Sequence, residues 1–235
     1  MSAPLSTMLQ DLKRWFALQQ PVTKYFVLLS IILPVWLKFQ PNWIAYLTFN
    51  RKFVVQPWRL LSCFFVSIPS VPWLMSLLLR AQYSHTLEQY TASIDHAFML
   101  LYLSFLISLP NILYFKFSSL WNSLNMSILY VYARRHPNAQ VSFLGGILLP
   151  AFMLPLVTLL WDGLLNQSWM PNLLGIGAAH IYWMGMTYRR DLPWREGLFA
   201  APRWIIDLTR PKPKASKPER QSLLFRGEGR RLGSE

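Results

Sequence analysis

The stretch Ala97-Phe98-Met99-Leu100-Leu101-Tyr102-Leu103-Ser104-Phe105-Leu106-Ile107-Ser108-Leu109-Pro110-Asn111-Ile112-Leu113-Tyr114-Phe115 contains no charged side chain. Its length is close to the roughly 20 residues with which a helix crosses the hydrocarbon core of a bilayer. Five more apolar segments accompany it, over 25–37, 60–79, 120–133, 143–161 and 173–188. The reading is an all-α membrane protein with six spans. Several segments are shorter than a full span, and those at 120–133 and 173–188 are dotted with Asn, Ser, Gly or His. Such segments are costly against lipid unless neighbouring helices bury them or the bilayer thins locally.

Composition agrees. Of 235 residues, 53% are hydrophobic and 14% charged, with 11 Trp and 15 Phe. A soluble domain carries about 25% charged residues. The one cysteine, Cys63, excludes an internal disulfide and the cysteine-rich zinc frameworks. No spaced histidine set suggests a metal, and no cofactor or nucleic acid is implied. The net charge of +13 is concentrated in the tail and beside the apolar runs. That is the pattern by which a membrane protein sets its topology. Lys13, Arg14, Lys24, Arg80, Arg134, Arg135 and all twelve Lys and Arg after residue 188 fall on one side. Lys38, Arg51, Lys52, Arg59 and Lys116 fall on the other. Both termini are therefore expected in the cytosol. In the N-terminal segment 1–20, expected in the cytosol, the start from Met1 to Lys13 lacks a basic segment followed by an apolar core, so no cleavable signal peptide is expected and the first span serves as its own signal.

Several motifs recur in a fixed order. Pro21-Val22-Thr23-Lys24 precedes the first span. Gln56-Pro57-Trp58-Arg59-Leu60-Leu61-Ser62 closes the first long loop. Leu79-Arg80 and Leu87-Glu88 follow the second apolar run, and Met99-Leu100-Leu101 opens the third. Tyr130-Val131-Tyr132-Ala133-Arg134-Arg135-His136-Pro137 ends the fourth. Leu173-Leu174-Gly175-Ile176-Gly177-Ala178-Ala179-His180-Ile181-Tyr182 forms the sixth. In order and spacing this set resembles the derlins, rhomboid-fold membrane proteins of endoplasmic-reticulum-associated degradation. The resemblance runs from Pro21 to about Pro202. It implies a six-span rhomboid-like bundle over 21–190 in the endoplasmic reticulum membrane. It also implies that Trp58 and Arg59 belong to a structural first loop lying partly in the membrane. Read by itself, Trp58-Arg59 is an ordinary interface anchor with its indole and guanidinium at the headgroups. Gly175 and Ala179 form a small-x-x-x-small pair that permits tight helix packing.

Active rhomboids place a serine on the fourth span and a histidine on the sixth. Aligned on Tyr130 to Pro137, Ser123 falls at the serine position and Asn172 at the histidine position. An amide is no general base at neutral pH. His180 lies eight residues beyond Asn172, about 12 Å along a helix axis, and is not expected to reach Ser123. Trp121 and Leu124 replace the glycines beside the serine and are expected to block close helix approach and substrate entry. The expectation is a pseudoprotease. His85, His96 and His136 read as turn or inter-span residues, and His180 as a neutral imidazole hydrogen-bonded within the bundle.

Beyond the sixth span come a juxtamembrane segment, 191–209, and a basic tail, 210–235. Proline and charge repeat from Arg210 to Arg220 without apolar periodicity, as in a semi-extended linker. The segment 225–235 has one aromatic anchor, alternate glycines and a later leucine, which suits an extended peptide ordered on a partner. Phe225, Gly227, Gly229 and Leu232 resemble the SHP box, F-x-G-x-G-x-x-L, with which adaptors dock on the AAA ATPase valosin-containing protein. Arg231 and Gly233 complete the expected contact set. The combined expectation is a degradation factor that assists retrotranslocation of misfolded proteins, works with a ubiquitin ligase complex and recruits the ATPase through a tether of roughly 30 to 45 Å. Two other readings stay open. One is an active intramembrane protease using Ser123. The other is a passive scaffold acting without the ATPase. Action alone, as a homo-oligomer or as half of a mixed channel is equally open.

Overall fold

Proline and serine decide where the long helices begin. In the structure, a computed structural model, Gln10 and residues 19–50, 56–143, 146–165 and 168–188 are described. Helix α1 is Pro21–Phe39, with Pro21 at its first turn, where a missing N–H costs nothing. The orphan N–H groups of Val22 and Thr23 donate to the Glu88 carboxylate at 3.1 and 2.7 Å. A negative charge there also complements the helix dipole. Short helices α2, Ile44–Leu47, and α3, Arg59–Ser62, lie in the first loop. Helix α4 is Val71–Gln89, opened by Ser70, whose side chain accepts from the Trp73 N–H, and by Pro72. Helix α5, Ser93–Pro110, runs on as one wide π turn, Asn111–Phe115. Buried Asn111 accepts from the Phe117 N–H at 2.8 Å, and Lys116 takes a left-handed conformation that stops the helix. Helices α6, Trp121–Arg135, α7, Leu154–Leu164, and α8, Met170–Tyr188, complete the set.

Each expected segment overlaps one of the six longer helices, with two corrections. The second was expected over 60–79, but α4 starts at Val71, because Pro69, the Ser70 cap and Pro72 forbid helix before it. Its far end accordingly extends to Gln89, so His85 lies in α4 and His96 in the first turn of α5 rather than in a connecting segment. The fifth was expected over 143–161, but its first part is a hairpin. Strands β1, Gln140–Phe143, and β2, Ile147–Pro150, pair antiparallel, with Val141 opposite Leu149. Val141 and Phe143 are buried while Gln140 and Ser142 are exposed, the two-residue alternation of a half-buried strand. The protein is thus mostly helical, with one small hairpin.

Among the described residues, α1 and the continuous stretch Ser93–Phe115 are long and apolar enough to cross a bilayer, with mean hydropathy of 1.6 and 1.8. Apolar side chains at helical spacing point outward on α5, at Leu101, Phe105 and Leu109, and on α7, at Leu156, Leu160 and Leu164. Rows of this kind are at odds with water and suit lipid.

Helix α6 occupies the centre. All its residues from Ser123 to Ala133 are buried, although Asn and Ser are spread along it. Its polar groups are satisfied inside. Ser127 Oγ lies 2.8 Å from both the Ser123 and the Gly175 carbonyl oxygens. A Cβ on Gly175 would stand 2.1 Å from the Ser123 carbonyl oxygen, so α6 and α8 touch backbone to backbone. Trp121 and Leu124 do not prevent this approach, contrary to expectation, because the contact is made by Ser123, Ser127 and Gly175.

Arg80 also departs from expectation. It is 0% exposed in the middle of α4 rather than on a cytosolic flank. Its Nε donates to Asn125 Oδ1, Nη1 to Ser30 Oγ at 2.9 Å, and Nη2 to the Trp121 carbonyl at 3.1 Å. The guanidinium lies 3.6 Å from the Trp121 ring centroid and 4.9 Å from that of Phe26. One cation thereby joins α1, α4 and α6. At the far end of α6, His136 lies between Tyr90 and Tyr132. Burial first, and then the Arg135 charge, hold its imidazole below the usual range.

Two stability outcomes are expected. Arg80→Met leaves the Asn125 side-chain oxygen without its donor, removes the second donor to the Trp121 carbonyl and destabilises the detergent-solubilised protein by about 3 kcal/mol. An unchanged melting profile would remove Arg80 from this role. Gly175→Ala overpacks the α6–α8 contact and costs about 1–3 kcal/mol. Gly177→Ala meets nothing within 4 Å and is tolerated. Equal melting of the two variants would contradict the close approach.

Candidate functional site

Close packing of α6 on α8 sets the geometry of the residues singled out above. Ser123 is buried, and its Oγ donates to the Pro171 carbonyl at 2.7 Å. The next residue, Asn172, donates from Nδ2 to Asp162 Oδ2 at 2.8 Å. The fold therefore brings Ser123 and Asn172 together, on facing ends of α6 and α8, and adds Asp162 from the last turn of α7. Asp162 was missed in the sequence. A single carboxylate near the end of an apolar run carries no spacing signal.

The chemistry this allows is limited. A carbonyl oxygen accepts a hydrogen bond but does not remove a proton, so the Ser123 hydroxyl is not activated. Among the described residues no imidazole bonds it. His180 is engaged elsewhere: its Nδ1 lies 2.6 Å from the Tyr130 hydroxyl, which accepts from Arg134 Nε at 2.9 Å. That is the internal hydrogen bond expected for it. Gly175 meets the Ser123 backbone, and Ala179 is buried one turn further along α8.

A cavity of about 520 Å³ opens beside this cluster. Its walls come from five parts of the chain: Leu37 of α1, Ile44 and Thr48 of the first loop, residues from Val66 to Ser76, the segment Ser118 to Asn122, and Asp162 with Pro171. The first loop is held in place by Arg59, which is buried rather than set at a headgroup level. Its Nη1 donates to the Ala45 and Thr48 carbonyls at 2.7 and 2.9 Å, and its Nε to Gln56. These carbonyls end α2, where a cation is favourable. Ser62 Oγ adds a bond to the Leu47 carbonyl at 2.7 Å. Trp58, by contrast, is 52% exposed. Ser119 Oγ ties the third loop to the Val66 carbonyl, and the Phe49 N–H donates to Ser118 at 2.8 Å. The cavity rim is thus a hydrogen-bonded loop assembly on a helical base.

Among the described residues no group of three or more His, Cys, Asp or Glu is placed to hold a metal ion. Phe225, Gly227, Gly229, Arg231, Leu232 and Gly233, like the segments 191–209 and 210–235, lie outside the described residues.

Residues 20–199, which include α1 through α8, match the model of the Der1-like family. The chain is 29% identical to Derlin-1.1 of Zea mays over 229 residues, covering 89% of each protein. It is 34% identical to Derlin-1 of Arabidopsis thaliana over 155 residues, 64% of this chain and 58% of that one. It is 29% identical to the probable derlin-2 homolog of Dictyostelium discoideum over 189 residues, 75% of this chain and 74% of that one. With α6 buried at the centre and the serine bonded to a carbonyl, the chain belongs to the Der1-like, or derlin, family of multi-pass, rhomboid-like membrane proteins without enzymatic function.

Proposed function

We propose that this protein is a retrotranslocation factor of endoplasmic-reticulum-associated degradation. It crosses the endoplasmic reticulum membrane six times with both termini in the cytosol. Its cavity, on the lumenal side, receives segments of misfolded polypeptides. Its tail recruits the valosin-containing-protein ATPase, which supplies the work, and a ubiquitin ligase complex completes the partners. The observation that carries the reading is the family match across all of the long helices, joined to a cavity that opens next to Pro171, whose carbonyl takes the Ser123 hydrogen bond in place of a base.

Three further observations support it. Without Arg80, which is buried, seventeen Lys and Arg still fall on the proposed cytosolic side against five on the other. Helices α7 and α6 are short and α6 is polar, and short spans thin the surrounding bilayer. A thinned bilayer lowers the cost of moving polar chain across it. The tail matches F-x-G-x-G-x-x-L at Phe225, Gly227, Gly229 and Leu232. Tethering raises the local concentration of the motor without tight binding.

The test uses cells that depend on this chain for turnover of a misfolded lumenal client. Ser123→Ala keeps client half-life and ATPase co-purification close to those of the intact chain, because no proton transfer runs through that hydroxyl. Phe225→Ala removes the anchor, weakens ATPase binding by about 2 kcal/mol, roughly thirtyfold, and lengthens client half-life. Client cleavage that disappears with Ser123→Ala would establish a protease instead. Normal ATPase recruitment by Phe225→Ala would reduce the tail to a linker.

A further inference from the structure

The wall of the cavity beside Ser123 has hydrogen-bonding capacity that the protein leaves unused. Asn172 is 1% exposed, and its Nδ2 is committed to Asp162. Its Oδ1 is buried and has no hydrogen-bond partner. An acceptor left this way has given up its hydration without a replacement. It borders a small space of about 30 Å³, about the volume of one water molecule. That space and the 520 Å³ cavity share Pro72, Ser76, Asn122 and Asp162, so the Asp162 carboxylate stands where the two adjoin.

Charge at this junction is one-sided. No Lys, Arg or His lines either space among the described residues. The Arg80 guanidinium stands behind Asn125 and Trp121 and is occupied by Asn125, Ser30 and the Trp121 carbonyl. The Ser76 hydroxyl is occupied as well, donating to the Trp73 carbonyl and accepting from Trp121 Nε1, both at 2.8 Å. Beside the Asn122 amide, which lines both spaces, stands an acceptor pair, Asp162 and the Asn172 oxygen, in a partly desolvated recess where charge-assisted bonds are strong. A carboxylate desolvated beside a second acceptor is best matched by a donor-rich cation. One donor also stands free: the buried Trp73 Nε1 has no partner, and Trp73 lines the larger cavity. It suits a carbonyl oxygen of an extended backbone.

We infer that the junction of Asp162 and Asn172 is a subsite for a basic side chain, Lys or Arg, of a polypeptide lying in the cavity, with Trp73 Nε1 bonding the peptide backbone. The inference rests on the cavity being the client-binding site. It adds a preference: clients bind best when a basic residue sits within an extended segment, and acidic residues at the same position are rejected by the carboxylate.

The test places the photo-crosslinker p-benzoylphenylalanine at Ile68, an exposed residue of the cavity rim. The full chain, reconstituted in phosphatidylcholine vesicles, is offered extended peptides that differ at one central position: lysine, norleucine or glutamate. The lysine peptide is expected to crosslink about tenfold more than norleucine, with glutamate lowest, and Asp162→Asn brings lysine and norleucine to within about twofold. Asp162→Glu, which keeps the charge and the acceptor, retains the order. Each variant is checked for a single gel-filtration peak before reconstitution. Equal crosslinking of lysine and norleucine by the intact chain overturns the subsite while leaving the cavity as a client site. A lysine preference that survives Asp162→Asn overturns it too. No adduct with any peptide overturns both the subsite and the client-cavity reading beneath it.

Discussion

Everything in this bundle is arranged around the backbone contact between α6 and α8. Gly175 lets the Ser123 carbonyl approach to where a side-chain carbon would otherwise stand. Ser127 then bonds both strands of backbone at once, with its hydroxyl 2.8 Å from each carbonyl. A helix with Asn122, Ser123, Asn125 and Ser127 in its first half is a poor partner for lipid. Placed at the centre, its polar groups find partners on α4, α8 and the loops. Small residues at the crossing make that possible, since helices in a membrane gain little from hydrophobic burial and associate through close packing and hydrogen bonds.

The second structural element is a buried cation without a carboxylate partner among the described residues. Arg80 gains three neutral acceptors and two aromatic faces. A guanidinium suits this role better than an ammonium, because it is planar, weakly hydrated and stacks on rings. Through Asn125 and Trp121 it sets the start of α6, which is also the wall of the cavity. Near the C-terminal end of α4, Glu88 receives the first N–H groups of α1. The Thr23 hydroxyl lies 3.1 Å from Ser84 Oγ, which lies 2.8 Å from His96 Nε2, so α1, α4 and α5 are joined there as well. Polar bonds at the middle and near the C-terminal end of α4 hold the bundle in register while its outer surface stays apolar.

Loss of protease chemistry has a local cause. The serine is present, but the residue facing it is an amide whose nitrogen is taken by Asp162. The serine hydroxyl donates to the Pro171 carbonyl, which does not take its proton. A cavity persists nearby. This leaves a site with walls, acceptors and an opening, suited to holding a chain rather than cutting it.

Much of this was legible in the residues. Apolar runs located α1, α5, α6 and α8, because each has the length and period of a helix against lipid or core. Motif alignment singled out Ser123 and Asn172, which lie on α6 and α8, and the reading of His180 as bonded within the bundle matches its contact with Tyr130. The ends of α4 and α7 did not follow from hydropathy. Hydropathy does not register the Ser70 cap, the prolines around it or the two-residue alternation of Val141 and Phe143. Nor did the roles of Arg80, Arg59 and Asp162. Arg80 reads as a flanking charge, Arg59 as an interface anchor, and Asp162 carries no signal; only the fold turns the two arginines inward onto Asn125 and the first-loop carbonyls. The sequence by itself determined the number of apolar segments, the charge asymmetry and the family, since these are properties of local composition and order. The tertiary structure decided which polar groups face one another, because hydrogen-bond satisfaction between distant segments depends on packing that no local pattern encodes.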